Sequence, residues 1–308
     1  MKQIILTIAI LMLTLTVSAQ QKDEKRILNS GQQNLVSALV NVESNVSVVA
    51  QAYNNLAVKK TLNEGDYAAS TELFRKAVKN DSRCLMCYYN LGLSLINLEQ
   101  YDEAIKTFTK LISLKPDHAD AYAGLGEAFT KKGLYNESVT AYQKAAELAP
   151  NDAIILSNLG NAFHQIKDFK QSLNYLDKAV KLSPDLPVAH SNRGTTLYAM
   201  GRYKEAVKSL QRAVELEPTS ADALNNLGVA LSSIGKEKEA HKFYLEAVRL
   251  RPNWSPALYN LALNYIDIGK RDTARQQLSI LESVDAGLAE KFKKVFYGKY
   301  LLDVSDVK

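Results

Sequence analysis

The chain is poor in the residues from which many sites are built. Two Cys and four His in 308 residues leave little for a metal centre, and no pair of His is spaced to share an ion. Only 14 Gly and 7 Pro are present, which excludes a collagen-like or low-complexity chain. The Gly are isolated, so no loop of them can cradle a phosphate. A net charge of +5 without a Lys/Arg block argues against nucleic acid as the main partner. His118, His164, His190 and His241 are scattered away from any Ser/Asp partnership, and the carboxylates fall at helix-surface spacing. No catalytic constellation is present, and neither an enzyme nor a bound cofactor is expected.

Long apolar runs are equally scarce. The exception, residues 4–17, follows Lys2 and ends at Val17-Ser18-Ala19, before polar Gln20-Gln21. Charge, apolar run and small residues in that order predict a cleaved secretory signal over residues 1–19; an uncleaved anchor is the alternative. The run is shorter than the ~20 residues a spanning helix requires. The mature chain is expected to be exported, periplasmic or secreted, with no integral membrane span after cleavage.

What is abundant is repetition. Pro116, Pro150, Pro184, Pro218 and Pro252 are each 34 residues apart. Units beginning at 85, 119, 153, 187, 221 and 255 align their columns. Position 8 reads Gly92, Gly126, Gly160, Gly194, Gly228 and Ala262, and position 7 is Leu except at Arg193. Position 20 is small throughout, and position 24 is bulky: Phe108, Tyr142, Leu176, Leu210, Tyr244, Leu278. Positions 4, 7, 8 and 11 share one helix face, and positions 20, 24 and 27 share another. Gly133, Gly201, Gly235 and Gly269 lie between them, where a helix ends at least cost. A mid-helix Gly costs roughly 1 kcal/mol against Ala. Its recurrence at position 8 is read as close antiparallel packing against the small residue at position 20. Such hairpins cannot bury their apolar faces alone and must stack. Arg193 and His190, which depart from their columns, are expected to snorkel, with a ligand contact as the alternative.

These in-phase columns resemble the tetratricopeptide repeat (TPR) family. The resemblance implies an all-α, right-handed superhelical solenoid of helix hairpins with capping helices at both ends. Seven repeats are expected over residues 51–288, the unit at 51–84 being degenerate in its first helix. Residues 20–50 are read as a polar tether and an amphipathic helix, and residues 289–308 as a C-terminal capping helix and tail. In the latter, Leu288, Phe292, Val295, Phe296 and Leu302 share a face; a membrane-surface helix is the alternative. Leu35, Leu39, Val42, Val46, Val49, Tyr53 and Leu56 alternate steps of 4 and 3. They suit a helix packed on the first repeat or a homodimeric coiled coil through residues 35–56.

Cys84 and Cys87 flank the handover into the unit at 85. In an exported chain they are a disulfide candidate. Reduced packing residues, a redox pair and a metal site are the alternatives, although no strand–helix–strand context or second ligand pair accompanies them.

The family's first-helix positions 2, 5, 6, 9, 12 and 13 line a concave groove. Position 6 reads Asn90, Gly124, Asn158, Asn192, Asn226 and Asn260. A side-chain amide both donates and accepts, so a column of Asn can hold the backbone of an extended peptide. The family's O-GlcNAc transferases use such a ladder. Tyr89, Tyr198 and Tyr259 would add flat apolar contact. At these groove positions Asp120, Glu127, Asp222 and Asp267 face only Lys131 in sign, so the groove is mildly acidic. The function the resemblance implies is a non-catalytic scaffold that binds a partner protein or an extended peptide, neutral or basic rather than acidic. A structural assembly role through the N-terminal helix and a thiol role of the Cys pair are the competing readings.

Overall fold

The structure, a computed structural model, describes residues 47–305, with side chains through residue 298. The expected signal peptide and polar tether, the part of the 35–56 stretch before residue 47, the side chain of Leu302 and the last residues of the tail lie outside these. Among the described residues there are fifteen α-helices and no strand. They divide into two compact units, one ending at Leu148 and the other starting at Ala149.

The first unit holds three antiparallel hairpins. They are α1 (Val48–Glu64) with α2 (Tyr67–Asn80), α3 (Leu85–Asn97) with α4 (Tyr101–Leu114), and α5 (Ala119–Lys132) with α6 (Tyr135–Leu148). The second unit holds four: α7 (Ala153–Gln165) with α8 (Phe169–Leu182), α9 (Pro187–Ala199) with α10 (Tyr203–Leu216), α11 (Ala221–Ser232) with α12 (Glu237–Leu250), and α13 (Ser255–Asp267) with α14 (Arg271–Val284). A last helix, α15 (Ala286–Ser305), packs on α13 and α14 through buried Phe292 and Phe296. Within each unit, successive first helices also touch one another directly.

Close approach inside each hairpin depends on position 8, but the side chain that exploits it is the bulky one at position 24. A β-carbon on Gly92 would lie 2.5 Å from the tip of the Phe108 ring, and one on Gly194 would lie 2.5 Å from Leu210 Cγ. Gly126 meets Tyr142, Gly160 meets Leu176, and Gly228 meets Tyr244 in the same way. The small residue at position 20 contributes chiefly by letting the backbones near: at Gly160 the second obstacle is the carbonyl oxygen of Ser172, at 3.1 Å. Burying each position-24 side chain contributes about 1.5–3 kcal/mol, more than the mid-helix Gly costs.

Phe108 also explains a gap in the Asn column. Its ring occupies the space above Gly124 as well as above Gly92, so a side chain at either position would collide with it. In the degenerate first repeat Ala57 takes the place of the glycine: its carbonyl accepts from Ser70 Oγ at 3.1 Å, as that of Gly126 accepts from Ser138 Oγ at 2.9 Å, and Ala57 and Val58 are both buried in the cluster that holds Phe74. The described part of the 35–56 stretch belongs to α1 itself. There Val49 and Leu56 are exposed, while Tyr53 turns onto the cluster containing Ala50, Cys84 and Cys87.

Local chemistry sets the ends of the helices. In four of the seven described repeats the residue before the first helix caps it: Cys84, His118, Asp152 and Ser220 all accept from backbone N–H groups of the first turn. Asp81 ties down the start of α1, accepting from the backbone N–H of Ser47 at 2.9 Å and of Arg83 at 2.9 Å, and these bonds hold its carboxyl below the usual carboxylate range. Between helices the chain turns through the left-handed region at Gly65, Gly133, Gly201, Gly235 and Gly269. At two equivalent turns that conformation falls to Glu99 (φ 59°) and Lys167 (φ 63°), whose β-carbons make it costly. Replacing Lys167 or Glu99 by Gly should therefore stabilise the chain by about 1 kcal/mol each. Urea unfolding followed by circular dichroism measures this; an unchanged or lower midpoint would show that these turns carry no strain.

Candidate functional site

The first helices present their position-6 residues in a row, and the row is differentiated by what stands one position earlier in the preceding repeat. In the second unit Asn192 Nδ2 donates to Ser157 Oγ at 3.2 Å, and Asn260 Nδ2 donates to Asn225 Oδ1 at 2.9 Å. Both acceptors are buried, on α7 and α11. Asn158 and Asn226 make no side-chain hydrogen bond among the described residues and are half-buried. The four Asn are therefore of two kinds, two stapled to the preceding repeat through the amide nitrogen and two with both ends available.

Asn90, in the first unit, requires a correction. It is only 3% exposed, and its Nδ2 donates to Asn54 Oδ1 at 2.9 Å. The remaining atoms of the pair, Asn54 Nδ2 and Asn90 Oδ1, are buried without a partner. A side chain closed off on both sides holds α1 to α3 and cannot reach a ligand from where it lies. Its acceptor, Asn54, was hidden from a reading based on the 34-residue register because the first repeat's offset is 36 residues.

The three tyrosines are half-buried. Tyr89 stacks on His118 at 6.2 Å between centroids and meets Phe108 edge-on at 6.1 Å. Tyr198 accepts from Ser233 Oγ at 3.2 Å and leans on Tyr203. Tyr259 packs beside the cluster that seats α15. Apolar surface near the second unit's row comes from Ile154 and Val188 at position 2, both exposed.

Charge around the row is more muted than composition suggests. Asp222 forms an ion pair with Arg251, which itself lies over the Trp254 ring at 4.2 Å. Burial pushes the Glu127 carboxyl up in the first unit, against the opposing pull of Lys131. His164, at position 12, shares a hydrogen bond with Thr196 Oγ1 at 3.1 Å, and Thr196 in turn pairs with Ser172 Oγ at 2.9 Å. Burial lowers the His164 pKa, favouring the neutral ring beside these hydroxyls. Ser94 with Thr71 and Asn264 with His241 repeat the arrangement, each joining position 10 to the preceding second helix. Arg193 pairs with Asp177 at 2.6 Å and reaches Ser209, its head still partly exposed.

Cys84 and Cys87 lie at disulfide-bonding distance with Cα atoms 5.3 Å apart, and neither has exposed surface. Cys84 Sγ also accepts from the Cys87 N–H at 3.2 Å as the cap of α3. Among the described residues no three His, Cys, Asp or Glu side chains gather as a metal site would need. Among them, too, no helix is long and apolar enough to cross a membrane.

Family models match the chain along most of this hairpin array. Tetratricopeptide repeat models match residues 89–153 and 220–251, and a TPR repeat model matches residues 160–201 and 194–235. The chain belongs to the tetratricopeptide repeat family. Solved TPR-like structures share its fold at low identity. The APC/C hetero-tetramer Cut9–Hcn1 matches over 82% of this chain at 18% identity and a TM-score of 0.70. This chain spans about half, 49%, of that one. A tetratricopeptide repeat protein from Parabacteroides merdae aligns over 82% of this chain and 100% of its own, at 12% identity and a TM-score of 0.63. Pseudomonas aeruginosa pilF aligns over 69% of this chain and 97% of its own, at 19% identity and a TM-score of 0.60. No curated protein matches the chain.

The two kinds of TPR asparagine should separate in stability. Asn192→Ala and Asn260→Ala each remove an inter-repeat hydrogen bond and should cost about 1 kcal/mol, whereas Asn158→Ala and Asn226→Ala should be close to neutral. Thermal unfolding of the four single variants tests this; equal effects at all four sites would remove the distinction.

Proposed function

We propose that the protein is a non-catalytic scaffold that holds an extended segment of a partner protein along the first-helix row of its second unit. The observation that carries this reading is the column Asn158, Asn192, Asn226 and Asn260. Four amides recur at the same position of successive first helices, and an amide can both donate to and accept from a bound backbone. Tyr198 and Tyr259, with Ile154 and Val188, supply apolar surface to cover side chains of the bound segment. Tyr89 and the sealed Asn90 belong to the first unit, where Tyr89 alone remains as a contact.

Membership in the TPR family supports protein binding in general. The asparagine column supports the narrower reading, because amides grip a backbone whatever its sequence. Residues 1–19, with their signal-like order, and a buried Cys pair at disulfide distance support an oxidising location outside the cytoplasm. Residues 35–56 offer a second mode of association. Val49 and Leu56, seven apart in that repeat, stand exposed on α1, as pairing of two copies along it would need.

A peptide array tests the groove directly. Short neutral and basic sequences should bind the intact chain better than acidic ones, and the Asn158→Ala, Asn226→Ala double variant should weaken binding about tenfold or more while leaving the circular dichroism spectrum unchanged. Tighter binding of acidic peptides, or binding indifferent to the double variant, would overturn the reading.

A further inference from the structure

No block of Lys and Arg stands in the sequence, yet the repeat assembles one in the second unit. Positions 18, 22, 25 and 29 of a second helix are spaced i, i+4, i+7 and i+11 and share one face. Positions 20, 24 and 27 turn the opposite way and are buried inside the hairpin. On α8, α10 and α12 the outer face carries Lys170 and Lys181, Lys204 and Lys208, and Lys238 and Lys242. All six are exposed, and none forms a hydrogen bond or ion pair among the described residues. The acids on this face are already matched, Asp177 by Arg193 and Glu215 by Arg212. Those on its flank, Glu205, Glu239 and Glu246, pair with Arg202, Lys236 and Arg249. The same positions elsewhere do not repeat the pattern: α4 has Asp102 beside Lys106, α6 has Glu147 and no cation, and α14 has Asp272 and no cation. Large apolar side chains stand exposed among the lysines. Leu245, on the same face of α12, is 42% exposed, Leu182 follows Lys181 and is 46% exposed, and exposed Tyr203 precedes Lys204.

We propose that this face of the second unit docks on an anionic lipid surface. Unpaired lysines around isolated Leu and Tyr side chains suit a peripheral contact with acidic headgroups: the charges draw the protein in and the apolar tips enter the boundary layer. The choice of cation separates this from an acidic protein surface. Protein interfaces favour Arg and are depleted of Lys, whereas every unpaired cation on this face is Lys. An ammonium is a compact point charge that serves scattered headgroups, while Arg would present a planar fork to one carboxylate or phosphate. The asparagine row lies on the first helices, so this surface is separate from the groove and does not depend on the groove reading.

Co-sedimentation with vesicles tests the docking face. The chain without residues 1–19 contains every described helix and lacks the apolar run at 4–17. It should bind vesicles of equal parts phosphatidylcholine and phosphatidylglycerol, should release them as salt is raised, and should not bind phosphatidylcholine alone. Each lysine near the surface contributes roughly fivefold in affinity, so changing all six to Gln should weaken binding about a hundredfold or more. A control removes the same charge from six exposed lysines of the first unit, Lys59, Lys76, Lys79, Lys106, Lys110 and Lys115, and should lose much less. The Leu182→Ser, Leu245→Ser double variant should also bind the mixed vesicles more weakly. Should the sixfold variant not fold, the pair Lys204→Gln, Lys208→Gln and the pair Lys238→Gln, Lys242→Gln should each lose part of the binding. Equal losses in the two lysine variants would show only net charge at work and overturn the proposal. So would failure to bind the mixed vesicles, or binding that survives the sixfold change. Soluble polyglutamate bound as tightly as the mixed vesicles, with no effect of the Leu changes on either, would assign the face to an acidic protein and overturn the lipid reading.

Discussion

The structure depends on a steric fit repeated in five of the seven described hairpins: a residue without a side chain at position 8 lies beneath a large side chain at position 24. Leu210 over Gly194 and Tyr244 over Gly228 are the same contact with different shapes. The fit sets the spacing of the two helices in each hairpin, and that spacing brings the next first helix into reach. Phe108 extends the contact across a repeat boundary by covering both Gly92 and Gly124, which is why the Asn column is interrupted there. Where Gly is missing, as in the first repeat, the small side chain of Ala57 stands in its place, its carbonyl bonded by Ser70 as that of Gly126 is by Ser138.

Once packing is settled by apolar contacts inside each hairpin, polar side chains on the first helices are left to work between hairpins. They do so at two levels. Position 10 reaches back to the preceding second helix in Ser94–Thr71, Thr196–Ser172 and Asn264–His241. Position 6 reaches back to the preceding first helix in the three asparagine staples. The apolar fit is tolerant of many shapes, whereas each polar staple needs matched donors and acceptors in register. The polar contacts therefore orient the repeats and determine which hydrogen-bonding groups of the first-helix row remain free.

Much of this was legible in the chain. Five prolines at a fixed interval, with the Gly and bulky columns in phase, establish the repeat length, the helix-pair unit and the TPR family. A periodic column tells which residues are equivalent, but it is blind to what lies opposite them. The register pairs position 20 with position 8, and Ser138 does bond the Gly126 carbonyl, but it is blind to the long side chain at position 24 that fills the same spot. Asn90 shares its column with Asn226 but is sealed, because it is buried against Asn54 together with the remaining polar atoms of that pair. The staples cross repeats at separations of 35 and 36, so they fall off a 34-residue alignment by one or two positions. Glu99 and Lys167 adopt the glycine conformation without the glycine, since the packing of the two helices dictates the turn whatever residue occupies it.

The steric fit at position 8 can be measured by a double-mutant cycle on Gly194 and Leu210, followed by urea unfolding of all four proteins. Alone, Gly194→Ala forces a β-carbon against Leu210 and should destabilise by roughly 1–3 kcal/mol. With Leu210→Ala in place the obstacle is gone, and the same change should stabilise by up to about 1 kcal/mol through helix propensity. That reversal of sign is the predicted result. If Gly194→Ala has the same effect in both backgrounds, the large side chain at position 24 is not what requires glycine at position 8, and the packing account is wrong.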